Sequence, residues 1–200
     1  MIMYYSQYMA TQAQRRQDTR RRILAAAGKL FRARGFDKTS VDQIAAAANV
    51  AKGTFFQYFQ AKIEVAAALA SAVQERELER IHDQLAAGGS PLTVGRELMR
   101  STADWAERNR GIAGPLLLHG LAKPRDPTPS SLRALLESIL AAAQKKGEIR
   151  TDLPAAPISE LLAGNVALTV LHWTAHGKRG QLAEWLAFAW KLHLEGALPR

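Results

Sequence analysis

Residues 39–62 read TSVDQIAAAANVAKGTFFQYFQAK, and this stretch decides the fold. Ser40, followed three residues later by Gln43, has capping-box spacing, in which each side chain satisfies the other residue's backbone amide at a helix start. Val41, Ile44, Ala45 and Ala48 then recur at helical intervals, so a short helix follows. Asn49 tolerates left-handed backbone geometry and interrupts it. The chain resumes at Val50, and Lys52, Gly53 and Thr54 lead into Phe55, Phe56, Tyr58 and Phe59. Two short helices joined by a tight turn are the consequence.

Upstream, Ile23, Ala27, Leu30 and Phe31 form the stripe of an amphipathic helix over about 18–34. Gly35 stops it, and Phe36 is placed to fold back onto its last turn. Residues 1–17 lack a basic segment before their apolar start, unlike a signal peptide, and read as an unstructured, flexible arm. Downstream, the pattern predicts helices near 62–86, 92–109, 112–121, 129–146, 157–176 and 180–195, with loops at Gly88–Pro91, Arg110–Gly114, Lys123–Pro129, Gly147–Pro157 and Gly177–Gly180. No period-two strand pattern appears. The expected fold is all-α: a three-helix module over 18–62 followed by a larger helical domain over 63–200.

Composition narrows the function. Two hundred residues with 48% hydrophobic content are enough for a folded core, and the lack of cysteine removes disulfides, thiol nucleophiles and Cys-based zinc sites, which fits a reducing, cytoplasmic interior. The longest charge-free apolar stretch lies between Glu160 and Lys178; at 17 residues, with Asn165, His172 and His176 inside it, it is too short and polar for a membrane span. The net charge of +9 is segregated: residues 1–62 hold 11 Lys/Arg against 3 Asp/Glu, whereas residues 63–200 hold 16 against 15. A compact basic segment on a near-neutral body is the footprint of a polyanion-binding module; a merely solvated basic face is the competing reading.

A helix-turn-helix presents the first residues of its second helix to the DNA major groove while the first helix braces it. Here Ile44, Ala45, Val50, Phe55 and Phe59 are the candidate internal core, leaving Lys52, Thr54, Phe56, Gln57 and Tyr58 to face DNA, with Gly53 permitting close approach. Thr39-Ser40-Val41, Ile44-Ala45-Ala46 and Lys52 through Phe59 followed by Lys62 resemble the DNA-binding signature of the TetR family of bacterial regulators. The resemblance implies a three-helix DNA-binding module, a long connecting helix, a ligand-binding core, and a homodimer made chiefly by the last two long helices. It places Lys52 and Gly53 near base edges or the adjacent backbone, and Thr39, Ser40, Thr54, Phe56, Tyr58 and Lys62 around phosphates. Gln57 is the candidate for bidentate readout of adenine, with phosphate contact alone as the alternative. Three departures stand out: Phe56 lacks the hydroxyl of the usual tyrosine, Ala51 replaces the usual Ser or Thr helix cap, and Asn49 replaces the usual turn glycine. Arg15, Arg16, Arg20, Arg21 and Arg22 cluster at the expected start of the first helix, where they either reach phosphate or are simply solvated.

In the second domain, residues 157–176 are apolar almost all round, and the last helix places Leu182, Trp185, Leu186 and Ala189 on one stripe with Phe188 and Trp190 off it. Helices apolar on two faces suit a dimer interface, and a dimer reads two half-sites roughly 34–36 Å apart. His172 and His176 have metal-pair spacing but no evident third ligand, so no metal or other cofactor is expected. Met99, Trp105, Leu117, His119, Asn165 and Trp173 are candidates to line a small-molecule effector pocket, each also readable as plain core or, for Asn165, as an interface group. The chain has no phosphate loop, dinucleotide fingerprint, HExxH motif or nucleophile context, which argues against an enzyme. The resulting expectation is a homodimeric, sequence-specific regulator of double-stranded DNA, a repressor released from a pseudo-palindromic operator by an effector. A nonspecific architectural DNA binder is the alternative, set apart by a specificity ratio near one.

Overall fold

The computed structural model describes residues 2–122 and 131–195; the loop expected at Lys123–Pro129 lies outside the described residues. These residues form α1 (Ile2–Arg34), α2 (Val41–Ala47), α3 (Lys52–Tyr58), α4 (Lys62–Ala86), α5 (Pro91–Arg108), α6 (Arg110–Ala122), α7 (Leu132–Lys145), α8 (Ala155–His176) and α9 (Gln181–Glu195), with no strand among them. The helix starts and stops follow the local chemistry. Gly35, Gly88, Gly147 and Gly180 adopt positive φ at helix junctions, and Asn49, at φ 52°, makes the break between α2 and α3.

Two boundaries differ from expectation: the loop expected at Arg110–Gly114 is helical, α6 following α5 after Asn109 alone, and the start of α1 moves. α1 begins at Ile2, so the segment read as an arm is helical. Nothing between Met3 and Arg34 breaks a helix: Gly28 is the only glycine there, no proline occurs, and Ala, Gln and Arg are good helix formers. The arginines at 15–22 therefore sit inside a helix rather than at its N-terminus, and an unfavourable helix dipole is not what they face.

The chain divides into two compact units, residues 1–70 and 71–200, with the division within α4. In the first unit, Ile23, Ala27, Phe31, Ile44, Ala45, Phe55, Phe59, Val65 and Ala66 are buried, with α1 packed on α2 and α2 on α3.

In the second unit, α7 packs on α8 and α5, α9 on α5 and α8, and α6 on α8. Leu98, Leu136, Ile139, Leu140, Leu162, Val166 and Trp173 centre its core. α8 has the length and composition to cross a membrane, with a mean hydropathy of 1.2 in its most apolar window. Its Leu162, Val166, Val170 and Trp173 form a buried stripe, while most of that window is not buried in the chain. Arg110 finishes α8 at its C-terminal end: its guanidinium donates to the carbonyls of Trp173 (3.0 Å), Thr174 (3.2 Å) and Gly177 (2.9 Å) and lies 4.6 Å from the Trp173 ring centroid. Trp190, off the expected stripe of the last helix, is only 2% exposed because α5 covers that side of α9. Gly95 of α5 makes room for it: a Cβ there would stand 2.1 Å from the Trp190 ring.

Gly95→Ala is therefore expected to overpack the α5–α9 contact and cost about 1–3 kcal/mol, read as a lowered denaturation midpoint; an unchanged midpoint would show that the contact relaxes freely.

Candidate DNA-binding surface

The candidate surface is built from two seven-residue helices held by the turns around them. At the entrance, the Phe31 and Phe36 rings pack 5.3 Å apart across Gly35, which closes α1 and reverses the chain. Thr39 is 1% exposed and its hydroxyl donates to the Gly35 carbonyl at 2.8 Å. The expected capping box is formed: the Gln43 amide donates to Ser40 Oγ at 3.2 Å, and the Ser40 amide to Gln43 Oε1 at 3.0 Å. Ser40 Oγ accepts in this box, so its own proton is available to a phosphate oxygen.

Between α2 and α3, the Asn49 amide bonds the Ala46 carbonyl and the Val50 amide that of Ala45, both at 3.0 Å. Ala51 occupies the N-cap of α3 without any side-chain cap. Inward, Phe55 is fully buried, its ring 6.0 Å from that of Phe59. Ile44, Ala45 and Phe59 join it as expected, while Val50 is only half-buried at the edge. Outward, Lys52, Gly53 and Gln57 are exposed, Thr54 and Tyr58 half-buried, and Phe56 is 46% exposed, edge-on to Phe55. A Cβ on Gly53 would meet no atom within 4 Å, so internal packing does not require this glycine and open space lies beside it.

Two expected phosphate ligands are bonded within the module in the DNA-free chain. Thr39 is buried with its hydroxyl bonded, as described. Lys62 donates to the carbonyls of Phe36 (2.6 Å) and Thr39 (2.8 Å) and lies 4.1 Å from the Phe36 ring centroid. Both residues hold the α1–α2 turn by bonding its carbonyls. Sequence reasoning also passed over Asp42, whose carboxylate pairs with Lys52 at 2.9 Å. Its place in the first turn of α2 was the available signal. Both partners are more than half exposed, and such a pair is weak enough for Lys52 to exchange it for a phosphate or base.

The six effector-pocket candidates do not converge. Met99 lines a cleft of about 670 Å³ between α5 and α9, with Leu92, Ala187, Trp190 and Leu194 among its apolar lining, Arg96, Arg100 and Lys191 as cations and Glu184 as an acid. Trp173 borders a smaller, polar recess of about 280 Å³ with Asp104, Glu107, Arg108, Arg110 and Arg179. Trp105 and Leu117 are half-buried against the core. His119 is half-buried with its Nε2 enclosed and without a protein partner. Asn165 is exposed and accepts a bond from Thr169 at 3.3 Å. Helical spacing places residues on a face but does not say which faces leave a gap. His172 and His176 stand 5.2 Å apart, and among the described residues no group of three metal-ligand types gathers around them.

Known proteins carry the same arrangement. Residues 23–69 match the family described as bacterial regulatory proteins, tetR family, and residues 71–196 match the C-terminal domain of TetR/AcrR family transcriptional repressors. The HTH-type transcriptional regulator UidR of Escherichia coli K12 is 28% identical over 159 residues, covering 77% of this chain and 79% of that protein. TcmR of Streptomyces glaucescens, also an HTH-type transcriptional regulator, is 40% identical over 74 residues, covering 37% of this chain and 32% of that protein. The crystal structure of Thermus thermophilus FadR, a TetR-family transcriptional repressor in complex with lauroyl-CoA, superposes with a TM-score of 0.78 at 34% identity, covering 90% of this chain and 96% of that one.

Two substitutions test the geometry. Ala51→Ser supplies the missing cap of α3 and is expected to stabilise the DNA-free protein by about 1 kcal/mol. Lys62→Met removes the clamp on the α1–α2 turn and is expected to cost about 1–3 kcal/mol in the absence of DNA; a lysine serving phosphate alone would leave the DNA-free denaturation curve unmoved.

Proposed function

We propose, from the premise that this chain belongs to the TetR family of bacterial regulatory proteins, that it is a homodimeric, cytoplasmic repressor which leaves a pseudo-palindromic operator when a small-molecule effector binds its C-terminal domain. The observation that carries the reading is the two-sided α3: buried Phe55 fixes the helix, and Lys52, Gly53, Phe56 and Gln57 are left outward on it. In this reading Lys52 and Gln57 contact base edges, Ser40, Thr54 and Tyr58 contact phosphate, and Phe56 offers a thymine methyl an apolar surface.

A dimer is supported by the outward faces of the last two helices. Leu161 (70% exposed) and Leu168 (67%) stand seven residues apart on α8, and Phe188 (66%) and Leu192 (54%) stand four apart on α9. Asn165 is exposed between the two α8 leucines and belongs to this seam rather than to a pocket. Exposed large apolar side chains at helical spacing are what a partner helix covers.

For the effector we favour an acyl-CoA. The 34%-identical Thermus repressor is described with lauroyl-CoA, and the α5–α9 cleft combines an apolar lining with three cations, Arg96, Arg100 and Lys191, against the one acid Glu184, suiting an acyl chain and the coenzyme A phosphates respectively. Release then requires tighter binding of the ligand to the conformation with the poorer operator fit, because a ligand shifts an equilibrium only by its differential affinity.

Fluorescence anisotropy on duplexes enriched from a random library tests both parts. The wild type is expected to prefer an enriched palindrome over genomic DNA, with Gln57→Ala and Lys52→Ala each losing about tenfold, a 1.4 kcal/mol effect within the range of one good base contact. Lauroyl-CoA is expected to release that complex while coenzyme A alone does not; indifference to both would eliminate the effector assignment. Leu168→Asp with Phe188→Asp is expected to yield monomers in sedimentation and to abolish operator binding.

A further inference from the structure

We infer that the middle of α1 is a second DNA-contacting element, using Arg16 and Arg20 to bind phosphates flanking the segment read by α3; the inference rests on the DNA-binding reading above. The core row of α1 is Ile23, Ala27 and Phe31, which are 0%, 0% and 7% exposed. Continued toward the N-terminus at the same spacing of three or four residues, that row becomes Arg20 and then Arg16, both exposed. The face of α1 that forms the module's core is therefore the face that carries these arginines, whereas a purely solvating pair belongs on the opposite side.

Arg20 already lies beside α3: its guanidinium carbon is 5.5 Å from the ring centroid of Phe59, the C-cap residue that directly follows Gln57 and Tyr58. Arg16 has no hydrogen bond, ion pair or ring contact among the described residues. As like charges at i and i+4, Arg16 and Arg20 disfavour the helix they sit on, a cost that a polyanion relieves. The surroundings suit no other ligand charge. Residues 12–34 hold eight Lys/Arg and the single acid Asp18, which pairs with Arg21 at 3.1 Å off this row. Continuity with the α3 surface and this charge commit the occupant to duplex DNA.

The test uses the full chain and the duplex it enriches from a random library, in two lengths: the minimal protected segment, and that segment extended by about one helical turn on each side, roughly 10 bp. Affinity is measured as a function of salt. The wild type is expected to bind the longer duplex more tightly and with a steeper salt slope. Arg16→Ala with Arg20→Ala should erase the length difference and reduce the slope by about 0.9 for each phosphate that is no longer neutralised. Arg21→Ala with Arg22→Ala makes the same charge change off the row and should leave the length difference in place. Arg16→Lys with Arg20→Lys should retain it, which separates charge from folding. Equal effects of the two alanine pairs, or a wild type blind to duplex length, would overturn the inference while leaving sequence-specific binding intact. A wild type that enriches no sequence would instead overturn the DNA-binding reading beneath it.

Discussion

The burial of Phe55 is the constraint on which the DNA-binding surface depends. A helix of seven residues forms too few internal hydrogen bonds to offset the cost of starting it, so neither α2 nor α3 is stable as an isolated segment. Each persists because one side of it, Ile44 and Ala45 on α2 and Phe55 on α3, is withdrawn from water in a core that includes Ile23, Ala27 and Phe31 of α1. Once Phe55 is inside, helical geometry turns Phe56 and Gln57 outward, while Lys52 is exposed as the first residue of the helix.

The turns give that core its precision. Asn49 in the left-handed region sets the break between the short helices, and Lys62 and Thr39 bond the carbonyls of the α1–α2 turn. Two residues that the family resemblance places around phosphates thus also brace the scaffold in this chain. The uncapped Ala51 leaves the start of α3 dependent on tertiary packing.

In the larger unit the same principle operates over longer helices. α8 and α9 each have one stripe in the core and large apolar side chains on another face, the pattern of helices that pack on two sides. Gly95 and Trp190 show how specific the inner packing is, since the ring occupies the space that any larger residue at 95 would need.

Much of this was legible in the chain itself. The capping box, the break at Asn49, the stop at Gly35 and the helical order arise from interactions between residues a few positions apart, and local chemistry is written in local sequence. The alternation of buried and outward residues in α3 was equally readable, because periodicity reports a face. What the sequence could not decide was the partner of each side chain. The inward turn of Thr39 and Lys62, the Asp42–Lys52 pair, the burial of Trp190 under α5 and the dispersal of the effector-pocket candidates all depend on which distant elements meet. Those meetings are settled by close packing in three dimensions, where a turn carbonyl is bonded by a lysine 26 residues away.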